Sequence, residues 1–236
     1  MHPLDNVIWK ALTTNQAHFA EISDLARRFS PEISLLGAIE QPTAKAYDSL
    51  ARLIGTKPVG LFLEEPPLMP AGWSVESGAP MLEMVYEEAS IASDSRLTVA
   101  PATQFVDLSA AESPQMMTLA KLTNPGPFAE RTHELGTYLG IYQGMRQDRK
   151  VVAMAGERLR SPGYTEISAV CTHPDHLGRG YAATLMKELL QRIDARGEQA
   201  FLHVRTGNTR ATELYRRLGF RVRVQLYYAV VRFDGN

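Results

Sequence analysis

A chain of 236 residues with 44% hydrophobic and 22% charged residues has the make-up of an ordinary folded protein, and its formal net charge of −1 offers no global positive field to gather nucleic acid. One cysteine, Cys171, excludes a disulfide framework or a cysteine-built metal site within one chain and suits a reducing, cytoplasmic setting. No run of about 18 apolar residues exists, and the start, Met1-His2-Pro3-Leu4-Asp5-Asn6, lacks a basic segment followed by an apolar one, so neither a membrane span nor a secretory signal is expected.

A first zone runs to about Asp94. Apolar residues at Phe19, Ile22, Leu25, Ala26 and Phe29 have helical spacing and predict a helix from Ala17 to Phe29. An apolar stretch covers Ile33 to Ile39. A helix is expected from Thr43 to Ile54, stopped by Gly55. Val59 to Leu63 and Met81 to Tyr86 read as short strands. Pro66, Pro67, Pro70 and Gly72 make the loop between them. Ser90 to Arg96 reads as an exposed connection to a second zone that starts at Leu97.

In the second zone, Phe105 to Leu108 is a strand. Ser109 or Ser113 caps a helix carrying Met116, Met117, Leu119 and Ala120, with Pro114 in its first turn. Asn124-Pro125-Gly126-Pro127 breaks it, and a short helix or loop covers Phe128 to Glu134. Three strands follow, Thr137 to Gln143, Lys150 to Leu159 and Thr165 to Thr172. A helix from about Arg179 has one apolar face of Ala182, Leu185, Met186, Leu189, Leu190 and Ile193, and Gly197 ends it. Ala200 to Val204 is a strand, Asn208 to Leu218 a helix closed by Gly219, and Val222 to Phe233 supplies the last strand or strands. This order predicts an α/β or α+β sheet with helices on its faces.

Chemistry concentrates where the third strand of that series ends: His173-Pro174-Asp175-His176-Leu177-Gly178-Arg179-Gly180-Tyr181-Ala182-Ala183. A strand stops, a proline turns the chain, and a glycine-rich loop opens an amphipathic helix. Backbone N–H groups at a helix start lack intrahelical partners and the helix dipole favours an anion there. Glycines let the backbone come close to a phosphate. Alone, the pair is equally a tight strand-to-helix turn with no ligand. Neither Gly-x-x-x-x-Gly-Lys-Ser/Thr nor Gly-x-Gly-x-x-Gly after a strand occurs.

Leu177-Gly178-Arg179-Gly180-Tyr181-Ala182 resembles the coenzyme A pyrophosphate loop of the Gcn5-related N-acetyltransferases, whose pattern is Arg/Gln-x-x-Gly-x-Gly/Ala. Asn208-Thr209-Arg210-Ala211-Thr212-Glu213-Leu214-Tyr215-Arg216-Arg217-Leu218-Gly219-Phe220 resembles that family's Asn-x-x-Ala-x-x-Leu-Tyr-x-x-Leu-Gly-Phe signature. Leu177 departs from the pattern, standing where Arg or Gln is usual. The resemblance implies a mixed, mostly antiparallel sheet with flanking helices over residues 97–236, and the helix–strand pattern of residues 1–94 reads as a smaller α/β domain before it. It implies acetyl-CoA as the donor and direct attack by an amine.

Carried over residue by residue, the resemblance puts Val170, Cys171 and Thr172 beside the pantetheine arm. Leu177, Gly178, Arg179, Gly180, Tyr181, Ala182 and Ala183 fall around the pyrophosphate, and Asn208 hydrogen-bonds the arm. It also implies a splayed strand whose free backbone donor faces the thioester oxygen. Spacing alone favours a packing role for Tyr215, but the signature around it makes it the expected general acid for the departing thiolate. Glu166, fourteen residues before Gly180, is the candidate base, and alternation places it on one face with Ser168, Val170 and Thr172. A solvated or salt-bridged glutamate near a strand start is the competing reading, Glu157 is second choice, and a chain of waters stays open. His173 and His176 flank a proline and have no carboxylate cluster, so no metal is expected. Cys171 is expected to pack.

The first zone carries no motif with a mechanism. It is expected to pack on the catalytic part, shape the acceptor site through the Pro66 to Pro70 loop, or form a homodimer; a degenerate copy of the fold stays open. Glu130 and Glu134 are candidate acceptor contacts for a cationic amine. The acceptor is a small-molecule or protein amine, with neither nucleic acid nor membrane as partner. The competing function is a non-catalytic coenzyme-A-binding regulator.

Overall fold

The computed structural model describes residues 2–87, 104–144 and 149–235. The connection read at Ser90 to Arg96, with the expected domain start at Leu97, lies outside the described residues. Among the described residues, five α-helices, α1 (Val7–Thr13), α2 (Ala44–Ile54), α3 (Ser113–Thr123), α4 (Tyr181–Asp194) and α5 (Thr209–Arg217), surround eleven strands. A small antiparallel sheet holds β1 (Ala20–Ser23), β2 (Ala26–Phe29) and β3 (Gly37–Ile39).

The main sheet has eight strands: β4 (Val59–Leu63), β5 (Trp73–Tyr86), β6 (Val106–Leu108), β7 (Tyr138–Gln143), β8 (Lys150–Ser161), β9 (Tyr164–Thr172), β10 (Gln199–Arg205) and β11 (Phe220–Phe233). Their spatial order is β4-β11-β5-β10-β9-β8-β7-β6. Only β9 and β10 pair in parallel; every other neighbouring pair is antiparallel. The mixed sheet with flanking helices is the expected one.

The expected division near residue 94 does not divide this sheet. The connection β10–α5–β11 brings β11 back parallel to β10 but leaves a gap one strand wide. β5, from the first zone, fills that gap and pairs with both. β4 then pairs with the outer edge of β11. Pairing satisfies backbone groups that an open sheet edge would leave exposed.

The helix expected over Ala17 to Phe29 is instead a single 3-10 turn, Ala17–Phe19, and the β1–β2 hairpin. Ser23 pairs with Ala26, and Asp24 turns the chain at φ 42°, a left-handed geometry that aspartate tolerates. The apolar spacing fitted either element, and Ile22 stands 60% exposed rather than on a buried helix face. α1 was not anticipated. α2 fits expectation: the Thr43 side chain accepts from the Ala46 N–H, and Gly55 ends the helix at φ 58°.

Two of the cores lie on opposite faces of the sheet, and a third lies under α3. α4 and α5 cover one with Leu185, Met186, Leu189, Leu218 and Phe220. α1 and the small sheet cover the other, where Leu4, Ile8, Phe29 and Leu36 meet Leu159, Phe201 and Tyr228. β8 is buried along nearly its whole length, as a strand covered on both faces must be. Among the described residues, no helix is long and apolar enough to cross a membrane.

Candidate active site at a split in the sheet

β9 and β10 pair only at Tyr164–Gln199, Thr165–Ala200 and Glu166–Phe201. Both strands continue, β9 to Thr172 and β10 to Arg205, without pairing to each other. The sheet therefore splits, and β9 shows an unpaired backbone edge along Ile167 to Thr172. A bulge sharpens the departure. Met154 pairs with Cys171 and Gly156 with Ser168, so β9 carries one extra residue, and Ala169 sits there at φ 52°. A left-handed alanine is strained, and such residues gather at functional sites. The bulge also breaks the alternation predicted from Glu166. Val170 turns to the α4 core, whereas Cys171 joins Met116 and Met154 in the core under α3.

A cleft of about 650 Å³ passes through the split. On the α4 and α5 face it is lined by the His176 to Ala183 loop, Asn208 and Tyr215; on the other face by Phe62, Met81, Arg158, His203 and Tyr228. All thirteen residues expected in the site except Glu166 line this one cleft. Gly178 and Gly180 have φ of 77° and 79°, and a Cβ on Gly178 would meet nothing within 4 Å. Their job is backbone shape, which only glycine adopts freely. The first helical bond of α4 runs from the Thr184 N–H to the Gly180 carbonyl. The N–H groups of Tyr181, Ala182 and Ala183 thus have no intrahelical partner. Five arginines line the cleft (158, 179, 205, 210 and 217), and Glu213 is the sole carboxylate residue on it among those described. Asn208 caps α5, its Oδ1 accepting from the Ala211 N–H at 3.2 Å, which leaves its amide donor uncommitted by that bond.

Tyr215 packs edge-on against Phe220 with ring centroids 6.1 Å apart. Burial raises its pKa, and the nearby Cys171 adds to the shift, so the phenol keeps its proton at neutral pH. Burial likewise raises the Cys171 thiol to about 11, outweighing the bonds that lower it, so it is a neutral packing group. His173 and His176 meet ring to ring at 5.7 Å.

Glu166 departs from the role expected of it. Its side chain is fully buried and paired on both oxygens, Oε2 accepting from Arg158 Nε at 2.8 Å and Oε1 from Nη2 at 2.6 Å. Burial pushes its pKa up, but the Arg158 charge and the bonds from Arg158 and His203 hold it down at about 2. A base needs a carboxylate with appetite for a proton, and this one has none. Glu157 is no better placed: its buried carboxylate lies 2.9 Å from Arg196, off the cleft. Glu134 pairs with Arg131, which also reaches Glu32, and neither Glu130 nor Glu134 lines the cleft. The Pro66 to Pro70 loop does not line it either.

Sequence reasoning missed the row to which Glu166 belongs. Oε1 of Glu166 lies 2.7 Å from His203 Nδ1, and His203 Nε2 lies 3.3 Å from Glu83 Oε2. Glu83 bonds to Arg223, whose Nη1 reaches Asp5 at 3.0 Å. Arg158, Glu166, His203, Glu83 and Arg223 come from five adjacent strands, β8, β9, β10, β5 and β11. Burial works against a charged imidazole, but the hydrogen bonds and charges of Glu166 and Glu83 outweigh it and raise the His203 pKa. With His203 protonated, the row alternates in sign along its length. Phe62 stacks on the imidazole at 4.2 Å. No local motif announces this row, because its members meet only through strand register.

Comparison with known proteins bears on this site. The family model described as FR47-like protein matches residues 138–229, a span that runs from β7 into β11 and includes the split. N-alpha-acetyltransferase RimI of Mycobacterium tuberculosis is 39% identical over 115 residues, covering 48% of this chain and 71% of that protein. A crystal structure of a GNAT-family protein from Novosphingobium aromaticivorans covers 100% of both chains at 32% identity with a TM-score of 0.84. A GCN5-related N-acetyltransferase from Kribbella flavida, at 18% identity and TM-score 0.60 over 96% of each chain, shares the fold. The RimI and Novosphingobium matches show the family: the chain is an acetyltransferase that belongs to the Gcn5-related N-acetyltransferase family.

Proposed function

We propose that the protein is an acetyl-CoA-dependent N-acetyltransferase that moves an acetyl group to an amine by direct attack through the split between β9 and β10. The observation that carries this reading is the split itself: one cleft joins a phosphate-type loop on one face of the sheet to an aromatic chamber on the other. The residues present suit the donor. The open glycine turns and free N–H groups of Gly178 to Ala183 cradle the pyrophosphate, with Leu177 at the loop's mouth. Arg179, Arg210 and Arg217 add charge for its phosphates. The unpaired edge at Val170, Cys171 and Thr172 takes up the pantetheine amides as an added strand, and the Asn208 amide donates to them.

Bound acetyl-CoA supplies an activated thioester, whose carbon gains a bond to nitrogen and loses its bond to sulfur while the proton shed by nitrogen balances the one sulfur gains. Backbone N–H groups freed at the Ala169 bulge stabilise negative charge on the carbonyl oxygen. Tyr215, protonated and beside Cys171, donates to the sulfur. Glu166 positions Arg158 and His203 rather than removing a proton.

The test is calorimetric titration of acetyl-CoA followed by thiol release with an amine panel. Micromolar binding with turnover is expected. Tyr215→Phe should keep the binding constant and lower kcat about 100-fold. Absence of binding in the wild type would refute the reading, and unaltered kcat in the variant would remove Tyr215 from it.

A further inference from the structure

Of the arginines on the cleft, Arg179, Arg210 and Arg217 belong to the phosphate loop and α5, which leaves Arg158 and Arg205 without a role. Arg158 is the inner one. It is 6% exposed, and its Nε and Nη2 are bonded to the two oxygens of Glu166. Its remaining nitrogen, Nη1, donates to no atom among the described residues. Nη1 is not sealed off, since it is absent from the buried atoms that lack a partner, and the side chain keeps 8% of its surface on the cleft it lines. Glu166 pairs with Phe201 at the last position where β9 and β10 are joined, so its partner Arg158 stands beside the root of the split.

Arg205 is the outer one. Alternation along β10 puts it on the face of Phe201 and His203, opposite Leu202 and Val204 of the α4 core. Its partner across the strands is Met81 of β5, which lines the chamber on the α1 face. Arg205 is exposed on the cleft, and among the described residues its guanidinium has neither a hydrogen bond nor an ion pair. Burial raises the Tyr228 pKa while the charges of Arg158 and Arg205 pull against it, which places both cations at the end of the cleft that Tyr228 walls. Among the described residues no free carboxylate faces them. Glu166 and Glu83 are committed to Arg158, His203 and Arg223, and Glu213 lies on α5, 3.9 Å from Arg217. The row of alternating charges thus turns its positive end, Arg158, to the cleft and finishes at Asp5, which does not line it.

Resting on the acetyl-transfer reading above, we infer that the acceptor is a small amine that also carries an oxyanion, a carboxylate or a phosphate, held by Arg158 Nη1 and the Arg205 guanidinium. Guanidinium groups match the paired oxygens of either anion. Two cations offset the cost of taking that anion out of water, and the same two repel a polyamine. Phe62 and Met81 pack against the carbon chain between anion and amine. The amine reaches toward the Ala169 bulge, three residues beyond Glu166 on β9, or roughly 10 Å along a strand. That distance, less the reach of the Arg158 side chain, leaves room for several bonds between the two groups.

The experiment uses pairs that differ in the anion but hardly in the basicity of the amine: 4-aminobutanoate with 4-aminobutanamide, and 3-aminopropyl phosphate with 3-aminopropanol. Spermidine is the cationic control. An α spacing would change the basicity, so it is tested by calorimetry of N-acetyl-leucine against N-acetyl-leucinamide on enzyme loaded with coenzyme A. In at least one of the three pairs the anionic member should be favoured by at least about 30-fold, in kcat/KM or in affinity. The pair that shows it tells carboxylate from phosphate. Arg205→Gln, at an exposed position, should lower that figure for the anionic member about tenfold, at least about fivefold more than for its neutral partner. The acetyl-CoA dissociation constant should stay within about twofold, which separates Arg205 from the donor's phosphates. Arg158→Lys keeps a charge for Glu166 but loses the fork, and should also lower the preference about tenfold. No anion preference in any pair, or equal or better use of spermidine, overturns the inference. So does an Arg205→Gln enzyme that loses acetyl-CoA affinity but keeps the preference. If acetyl-CoA binds and acetylates only neutral or cationic amines, the acceptor inference falls alone; if acetyl-CoA does not bind, the acetyl-transfer reading falls with it.

Discussion

The two ends of the cleft are built on opposite principles. On the proposed reading one end takes the donor and the other the acceptor, and the donor end is local: a strand, a turn, two left-handed glycines and a helix start, all within Val170 to Ala183. The acceptor end is assembled at long range, with Phe62, Met81, Arg158, His203 and Tyr228 brought together by the register of five strands. The donor end depends on backbone shape and unpaired N–H groups. The acceptor end depends on buried side chains that must satisfy one another. Changes at the first should therefore alter binding while sparing the fold, and changes beneath the second should reach the fold itself.

The sharpest way to break this contrast is Glu166→Ala. It leaves Arg158 and His203 buried without their shared carboxylate, and a loss of about 3–5 kcal/mol in urea unfolding is expected. A loss below about 1 kcal/mol would show that the row does not support the acceptor end. Next is Gly180→Trp, which fills the donor loop at a φ of 79°. Acetyl-CoA affinity should fall by at least about 100-fold, or ~2.7 kcal/mol, with unfolding little changed beyond the cost of the strained residue. If stability collapsed as well, the donor end would not be the independent local unit described here.

The smallest effect concerns pH. His203 has a folded pKa raised above the ordinary 6.5, so it binds more protons folded than unfolded in the window above that value. Its contribution to stability is complete below 6.5 and is lost as pH rises through the folded pKa. The slope is at most about 1.4 kcal/mol per pH unit. Unfolding midpoints across that window should decline with rising pH in the wild type, and His203→Gln should flatten the decline. An identical slope in both proteins would assign it to other groups.

This contrast also explains what could be read from the residues alone. The donor loop, α4, α5 and the Asn208 to Phe220 signature were legible because each is a contiguous pattern of apolar period, glycine and cap. Tyr215 was placed on the cleft for the same reason. Glu166 was placed on the right strand but given the wrong chemistry, since its partners Arg158 and His203 lie 8 and 37 residues away and meet it only across the sheet. The bulge at Ala169 left no signal, because alanine is an unremarkable residue until its φ is known. The contribution of β4 and β5 to the main sheet was hidden too: nothing within Val59–Leu63 or Trp73–Tyr86 says which strands will pair with them.

The placement of β5 between β10 and β11 has a bearing on how the chain is made. During synthesis β4 and β5 emerge well before the partners that complete them, because β10 and β11 span residues 199–233. At roughly 5–20 residues per second, more than 100 further residues take on the order of ten seconds to appear. Throughout that interval Val59–Leu63 and Met81–Tyr86 present strand edges with no native main-sheet neighbour. The central sheet closes only when β11 slides in beside β5, so the strand of this sheet that is made last completes both the sheet and the wall that carries Tyr228.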